Sequence, residues 1–182
     1  LVFAAGGDGG SDSSSTLLYD QAVKLVKRAG NLEKKDKVKK AKKLLEGNVV
    51  VITGSTGAIG FETYKLFKSY GAEIVLLDYD AKKVKEMQTK VKDLCLHCDV
   101  RIKNSVKNAF KKINEQYGGV DILISNAGTA IGGSIAEIDD KILRESFEDN
   151  FFSHQNCASE TIKIMKKQIF KDAYYLIFQN NL

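Results

Sequence analysis

A chain of 182 residues, 43% of them hydrophobic, is long enough for one globular domain with a substantial core. Apolar runs such as Val49–Ile52 and Ile74–Leu77 are strand-length, so neither a membrane span nor a membrane partner is expected. The net charge of +5 is concentrated in Lys24–Lys43, a stretch without aromatic side chains, which argues against a platform for single-stranded nucleic acid.

The opening "LVFAAGGDGG" has no initiator methionine, no basic n-region and too short an apolar stretch for a signal peptide, so a fragment or processed product is expected. Gly6–Ser15 is a flexible glycine–serine stretch, and Thr16 can cap a helix after it. Leu18, Ala22, Leu25, Val26 and Ala29, then Val38, Ala41, Leu44 and Leu45, recur at helical spacing. Residues 1–46 therefore read as a linker or domain remnant with two amphipathic helices and solvated lysine faces. A basic-helix nucleic-acid binder is the competing reading, and no nucleic-acid partner is expected. Three cysteines do not make a disulfide framework in a chain of this size, and a reducing cytoplasm is expected.

From Gly47 the pattern changes to alternating strands and helices. Strands are predicted at Val49–Thr53, Glu73–Leu77, Leu94–Cys98, Val120–Ser125 and Tyr174–Phe178. The first helix, Ile59–Tyr70, is expected to bury Ile59, Thr63, Leu66, Phe67 and Tyr70. Asp80 caps a second helix with Val84, Met87, Val91 and Leu94 inward, and a third turns Val106, Phe110, Ile113 and Tyr117 to the core. A single long helix is predicted from Asp139 or Asp140 to Gln168, with an apolar stripe of Ala158, Ile162, Met165 and Ile169 left exposed. Continuously apolar strands alternating with helices imply an α/β fold: a Rossmann-type, doubly wound parallel sheet over 47–182, with its ligand site at the carboxyl ends of the strands.

"TGSTGAIG" places Gly54, Gly57 and Gly60 between a strand and a helix, where small residues admit a phosphate to the backbone and the helix N-terminus supplies amide hydrogens. A triphosphate-binding loop would carry lysine after its last glycine, and Phe61 stands there instead. Asp78 ends the second strand about 20–25 residues after the first glycine, where a carboxylate can accept both hydroxyls of an adenosine ribose. A 2′-phosphate there would meet Asp78, with Tyr79 and Asp80 following and no arginine nearby. NAD is thus favoured over NADP.

With these residues in hand, the chain resembles the short-chain dehydrogenase/reductase family from about Gly47 onward. "TGSTGAIG" occupies the family's TGxxxGxG slot, with Ala58 in place of the middle glycine, and Gly54, Ser55, Thr56, Gly57, Ala58, Ile59 and Gly60 are implied to hold the cofactor. Asp99 and Val100 in "CDV" match the pair that touches adenine. Asn126, Ala127 and Gly128 in "SNAG" match the motif that steadies the sheet and lines the cofactor pocket. Asn150 matches the asparagine of the Asn–Ser–Tyr–Lys tetrad, which holds a proton-relay water. "VDILISNAG", "LRESFEDNFFSHQ" and "IKIMKKQ" further resemble the dehydrogenase half of bifunctional class II aldolase/short-chain dehydrogenases of the rhamnulose-phosphate aldolase/alcohol dehydrogenase type. "AAGGDGG" and "LLYDQAVKLVKR" resemble the end of an aldolase domain, although no histidine cluster for its metal is present. The resemblance implies NAD as cofactor, an alcohol, aldehyde or sugar-derived substrate, a homo-oligomer built through the long helix, and an upstream aldolase.

Other features pull elsewhere. In a strand, Cys95 and Cys98 of "CLHC" point to opposite faces, a poor geometry for one metal ion, and no metal is expected. His154, one turn beyond Asn150, reads as a helix-surface histidine. Tyr79 and Lys83 form a Tyr-x-x-x-Lys at the adenosine end, too far from a nicotinamide to serve. The family's tyrosine base works beside a lysine whose charge favours the phenolate. Where the serine should follow the fifth strand, the chain reads "FQNNL". The expectation is a cofactor-binding half of an oxidoreductase, inactive alone; the alternative is a non-catalytic dinucleotide-binding module.

Overall fold

The computed structural model describes residues 44–130, 134, 136–168 and the backbone of 175–178. The two basic helices expected in 1–46 and the "FQNNL" end fall outside the described residues, apart from 44–46 and Phe178. Among the described residues, no helix is long and apolar enough to cross a membrane.

Among the described residues, five parallel strands form one sheet: β1 (Val49–Thr53), β2 (Glu73–Asp78), β3 (Leu94–His97), β4 (Ile122–Ser125) and β5 (Tyr175–Phe178). Their order is β3-β2-β1-β4-β5, so the chain leaves β1 toward one edge and returns past it to build the other. Register follows from the apolar runs: Val50 faces Ile74 on one side and Ile122 on the other. The described helices are α1 (Ala58–Ser69), α2 (Ala81–Lys90), α3 (Lys103–Tyr117), α4 (Asp140–Phe147) and α5 (Ser153–Met165), the last two joined by a π turn, Glu148–Phe152. The predicted strands agree with these to within two residues at either end.

Alternation within each strand feeds two cores. Val49, Val51, Val75, Leu77 and Leu123 point to the α3/α5 side and meet Val106, Phe110, Ile113, Cys157 and Met165. Val50, Ile52, Ile74, Leu76 and Ile124 point to the other side and meet Val84 and Met87 of α2. Each such fully buried side chain contributes about 1.5–3 kcal/mol relative to exposure. Cys98 belongs to the first core and Cys95 to the second, the opposite-face placement read from their spacing. Burial pushes both thiols up to about 11.

Three helix expectations need correction. α1 is rotated: Phe67 packs on the sheet as expected, but with Phe61 and Tyr64 beside it, whereas Ile59 and Leu66 are 46% and 40% exposed. Gly60 decides this rotation by sitting against the turn that precedes the helix, which carries Tyr64 and Phe67 inward at i+4 and i+7. The long helix is interrupted by the π turn and ends at Met165, not Gln168. Of its expected exposed stripe, Met165 is buried in the core, Ala158 and Ile162 are half-buried, and Ile169 lies outside the described residues; the exposed large apolar side chains of this region are instead Ile142, Phe147, Phe151 and Phe152.

Candidate dinucleotide site

At the carboxyl ends of the strands lies a cleft of about 420 Å³, bordered by the glycine turn, Asp78 and Tyr79, the Asp99–Arg101 loop and the Asn126–Thr129 loop. Its floor is the turn between β1 and α1. Gly54 has φ +61°, and a Cβ there would lie 2.9 Å from the Cα of Ala127. A Cβ on Gly60 would meet backbone atoms of Gly54 and Ser55. Both glycines are therefore required by close approach, one between turn and β4 loop, the other between helix and turn. Gly57 sits at the N-cap with no side chain capping α1, so no side chain competes with an incoming anion for the first-turn amides. Ala58 and Ile59 border the cleft beside them.

Asp78 closes the turn. Its Oδ2 accepts from the Thr56 amide (2.9 Å) and hydroxyl (2.7 Å), and its Oδ1 accepts from the Asp80 amide (3.1 Å). A carboxylate has about four acceptor positions, so three protein donors leave room for one ribose hydroxyl. A second requires the Thr56 hydroxyl to turn away. Ser55 departs from expectation: it is buried, and its amide and hydroxyl both donate to the Leu77 carbonyl rather than facing the cleft.

The β4 loop is stitched to β1 by a residue the sequence reading left out. Thr53 Oγ1 accepts from the amides of Asn126 (2.9 Å) and Ala127 (3.0 Å), while Asn126 Nδ2 donates to the carbonyls of Thr53 and Gly54. Asn126 thereby holds the glycine turn against β4, with Ala127 and Gly128 along the wall. Asn150 stands on the π turn behind that wall. Its Oδ1 accepts from the Thr129 amide (3.0 Å) and its Nδ2 donates to the Thr129 carbonyl (2.8 Å) and to Ser146 Oγ (3.3 Å). A Cβ on Gly128 would come within 2.6 Å of Asn150 Oδ1, so this approach depends on that glycine.

At the other rim, Asp99 and Val100 border the cleft together with Arg101, Lys83 and Tyr79. The absence of a nearby arginine, read from the residues around Asp78, is corrected by the fold: β3 ends beside β2 and brings Arg101 to the same cleft. Arg101 hydrogen-bonds Asp99 through Nε (3.0 Å) and Nη2 (2.7 Å). That pairing holds the Asp99 carboxyl below its usual range, against the opposing pull of burial.

A second Tyr-x-x-x-Lys, Tyr64–Lys68, escaped the sequence reading. Both side chains bind Asp93, the tyrosine at 3.0 Å and the lysine at 2.7 Å, and Lys68 also reaches the Ala72 carbonyl at the amino end of β2. This is the end of the sheet away from the cleft. Burial and the Asp93 carboxylate push the Tyr64 phenol up to about 12, the reverse of an activated base.

His154 is not on the helix surface. It is 6% exposed, with Nδ1 2.6 Å from the hydroxyl of buried Ser125. Burial disfavours the charged ring and lowers its pKa below the ordinary value. The unfolded chain takes up this proton near pH 6.5 and the folded chain only at lower pH, so stability is complete above about 6.5 and falls as the pH drops below it, by at most about 1.4 kcal/mol per pH unit. Urea unfolding between about pH 7.5 and about pH 5.5 should show this slope, and His154→Gln should flatten it. An unchanged slope in the variant would assign the effect elsewhere.

The family model for short chain dehydrogenases matches residues 48–170. Short-chain dehydrogenase reductase 3b of Arabidopsis thaliana is 38% identical over 89 residues, 47% of this chain and 35% of that protein. Short chain aldehyde dehydrogenase 1 of Euphorbia lathyris is 34% identical over 129 residues, 68% of this chain and 45% of the relative. The chain thus spans less than half the length of either. Among solved structures, a short chain dehydrogenase from Mycobacterium smegmatis superposes with a TM-score of 0.69 at 21% identity, covering 75% of this chain and 59% of that one. At that identity, the likeness is one of fold.

Proposed function

The chain belongs to the short-chain dehydrogenase family, and we propose that its cleft holds NAD for hydride transfer between a carbon-bound hydroxyl and the corresponding carbonyl. The observation that carries the reading is Asp78, a buried carboxylate tied to the glycine turn with acceptor capacity left toward the cleft. Gly54 and Gly60 admit a pyrophosphate to the backbone and the uncapped start of α1 supplies amides to it. Asp78 takes an adenosine ribose hydroxyl, and Asp99 and Val100 border the base. Bound there, NAD supplies a hydride acceptor. Asn126 keeps the turn and β4 in register, and Asn150, behind the Asn126–Thr129 wall and braced by Thr129, is the residue whose match to the family's asparagine suggests a relay water. Alcohols, aldehydes and sugar-derived hydroxy compounds are the substrates to test.

A second reading, a dinucleotide-binding module without chemistry, is favoured by one observation. The tyrosine and the lysine that border the cleft, Tyr79 and Lys83, belong to the segment that follows Asp78, and Asn150 is not among the residues lining it.

Titration calorimetry tests the cofactor assignment. The chain should bind NAD more tightly than NADP, because a 2′-phosphate would face the Asp78 carboxylate. Asp78→Ala should weaken NAD about ten-fold or more, as expected for lost hydrogen bonds to a charged group, and erase the preference. Thr56→Val, which removes only the neutral hydroxyl donor to Asp78, should keep the preference. Equal or tighter NADP binding by the unmutated chain would sink the assignment.

A further inference from the structure

Arg101 is held from three sides. Its amide, Nε and Nη2 all donate to the Asp99 carboxylate, at 3.0, 3.0 and 2.7 Å. Its Nη1 lies 3.7 Å from Asp149 Oδ1 on the π turn. Its own carbonyl, and that of Val100, accept from Asn156 Nδ2 of α5, a side chain almost fully buried. Asp149 is fixed in turn by the Thr129 hydroxyl at 2.8 Å. The guanidinium is half exposed while both carboxylates are largely covered, so solvent screens the ion pairs and their direct contribution to stability is small. What the arrangement does impose is geometry: a planar fork fixes the plane of the carboxylate it grips.

We propose that Arg101 is a positioning residue for dinucleotide binding, aiming the Asp99 carboxylate at the adenosine end of the cleft and taking its own orientation from Asp149 and Asn156. The proposal rests on the NAD reading of the cleft. It predicts an effect confined to the adenosine half of the ligand. Two probes separate the halves: ADP-ribose, which carries adenosine, and nicotinamide mononucleotide, which does not.

Calorimetry on the unmutated chain, Arg101→Met, Arg101→Lys, Asp99→Asn and the double variant Arg101→Met/Asp99→Asn decides the matter. Arg101→Met should weaken ADP-ribose about ten-fold, and Arg101→Lys, which keeps charge but not the fork, about three-fold. Nicotinamide mononucleotide should change by less than about two-fold in either. The double variant should bind ADP-ribose no worse than Asp99→Asn alone, because Arg101 acts only through Asp99. Additive losses would overturn the proposal by showing that Arg101 contacts the ligand itself. Equal weakening of both probes would overturn it in favour of general loosening, and unchanged ADP-ribose affinity in Arg101→Met would overturn it outright. Should Arg101→Met not fold, Arg101→Lys and Asp99→Asn carry the same comparison. In each case the NAD reading survives, whereas failure of the unmutated chain to bind ADP-ribose would remove both.

Discussion

Replacing Gly60 by alanine should destabilise the chain by about 2–3 kcal/mol, the upper part of the ~1–3 kcal/mol typical of overpacking, because the atoms it meets cannot retreat. It should also reduce NAD binding below detection. The added Cβ would lie 2.8 Å from the Cα of Ser55 and nearer still to the Gly54 carbonyl oxygen. Both are backbone, and the first helical turn can relieve the contact only by moving off the glycine turn. That movement displaces the amides that would meet a pyrophosphate, and a shift of a few tenths of an ångström is costly where several hydrogen bonds converge. Gly57→Ala is the control: a Cβ there has ordinary contact, 3.4 Å from the Gly54 carbonyl oxygen, and φ is −73°. It should leave the urea midpoint nearly unchanged. If Gly60→Ala unfolds and binds as the unmutated chain does, the close packing of helix on turn is not what the glycine is for.

The contrast between these two glycines shows what could be read from residues alone. Strand positions were legible because each strand is apolar on both faces, a pattern a parallel sheet covered by helices imposes. The Asp80 cap was equally plain, since its carboxylate accepts from the amides of Lys82 and Lys83. The rotation of α1 was not, because Ile59 and Leu66 offer an apolar stripe as plausible as Phe61, Tyr64 and Phe67; only the contact of Gly60 with the turn chooses between them. Tyr64–Lys68 shows a second limit: i,i+4 spacing puts two side chains on one face, but only the fold says which end of the sheet that face meets. The pairing of Arg101 with Asp149 and the burial of His154 against Ser125 are long-range and leave no local mark. The π turn carrying Asn150 has no periodic signature either, since one extra residue in a helical turn does not alter the composition around it.

The 182-residue chain, saturated with NAD, should give no measurable turnover on any alcohol, aldose or polyol. Hydride transfer from an alcohol needs a base for the hydroxyl proton, and positioned acid–base help is worth about 10² to 10⁴ in rate. Asn150 cannot supply it: a carboxamide neither takes up nor gives up a proton as a base or acid near neutral pH, and its polar atoms already face Thr129 and Ser146. Tyr79 borders the cleft but follows Asp78, on the side to which the proposed reading assigns the adenosine, away from the chemistry. Tyr64 lies beneath the sheet with its proton held more tightly than in water, and His154 spends Nδ1 on a buried serine. Among the described residues that leaves water as the base, and Asn150 can at most orient it without making it stronger. Following the nicotinamide absorbance across a panel of lactaldehyde, aldoses and polyols checks this, with NAD binding measured in the same samples. Bound NAD without turnover is the expected outcome; turnover above a heat-killed control that Asn150→Ala abolishes would mean that a base among these residues works from a position the present geometry does not give it.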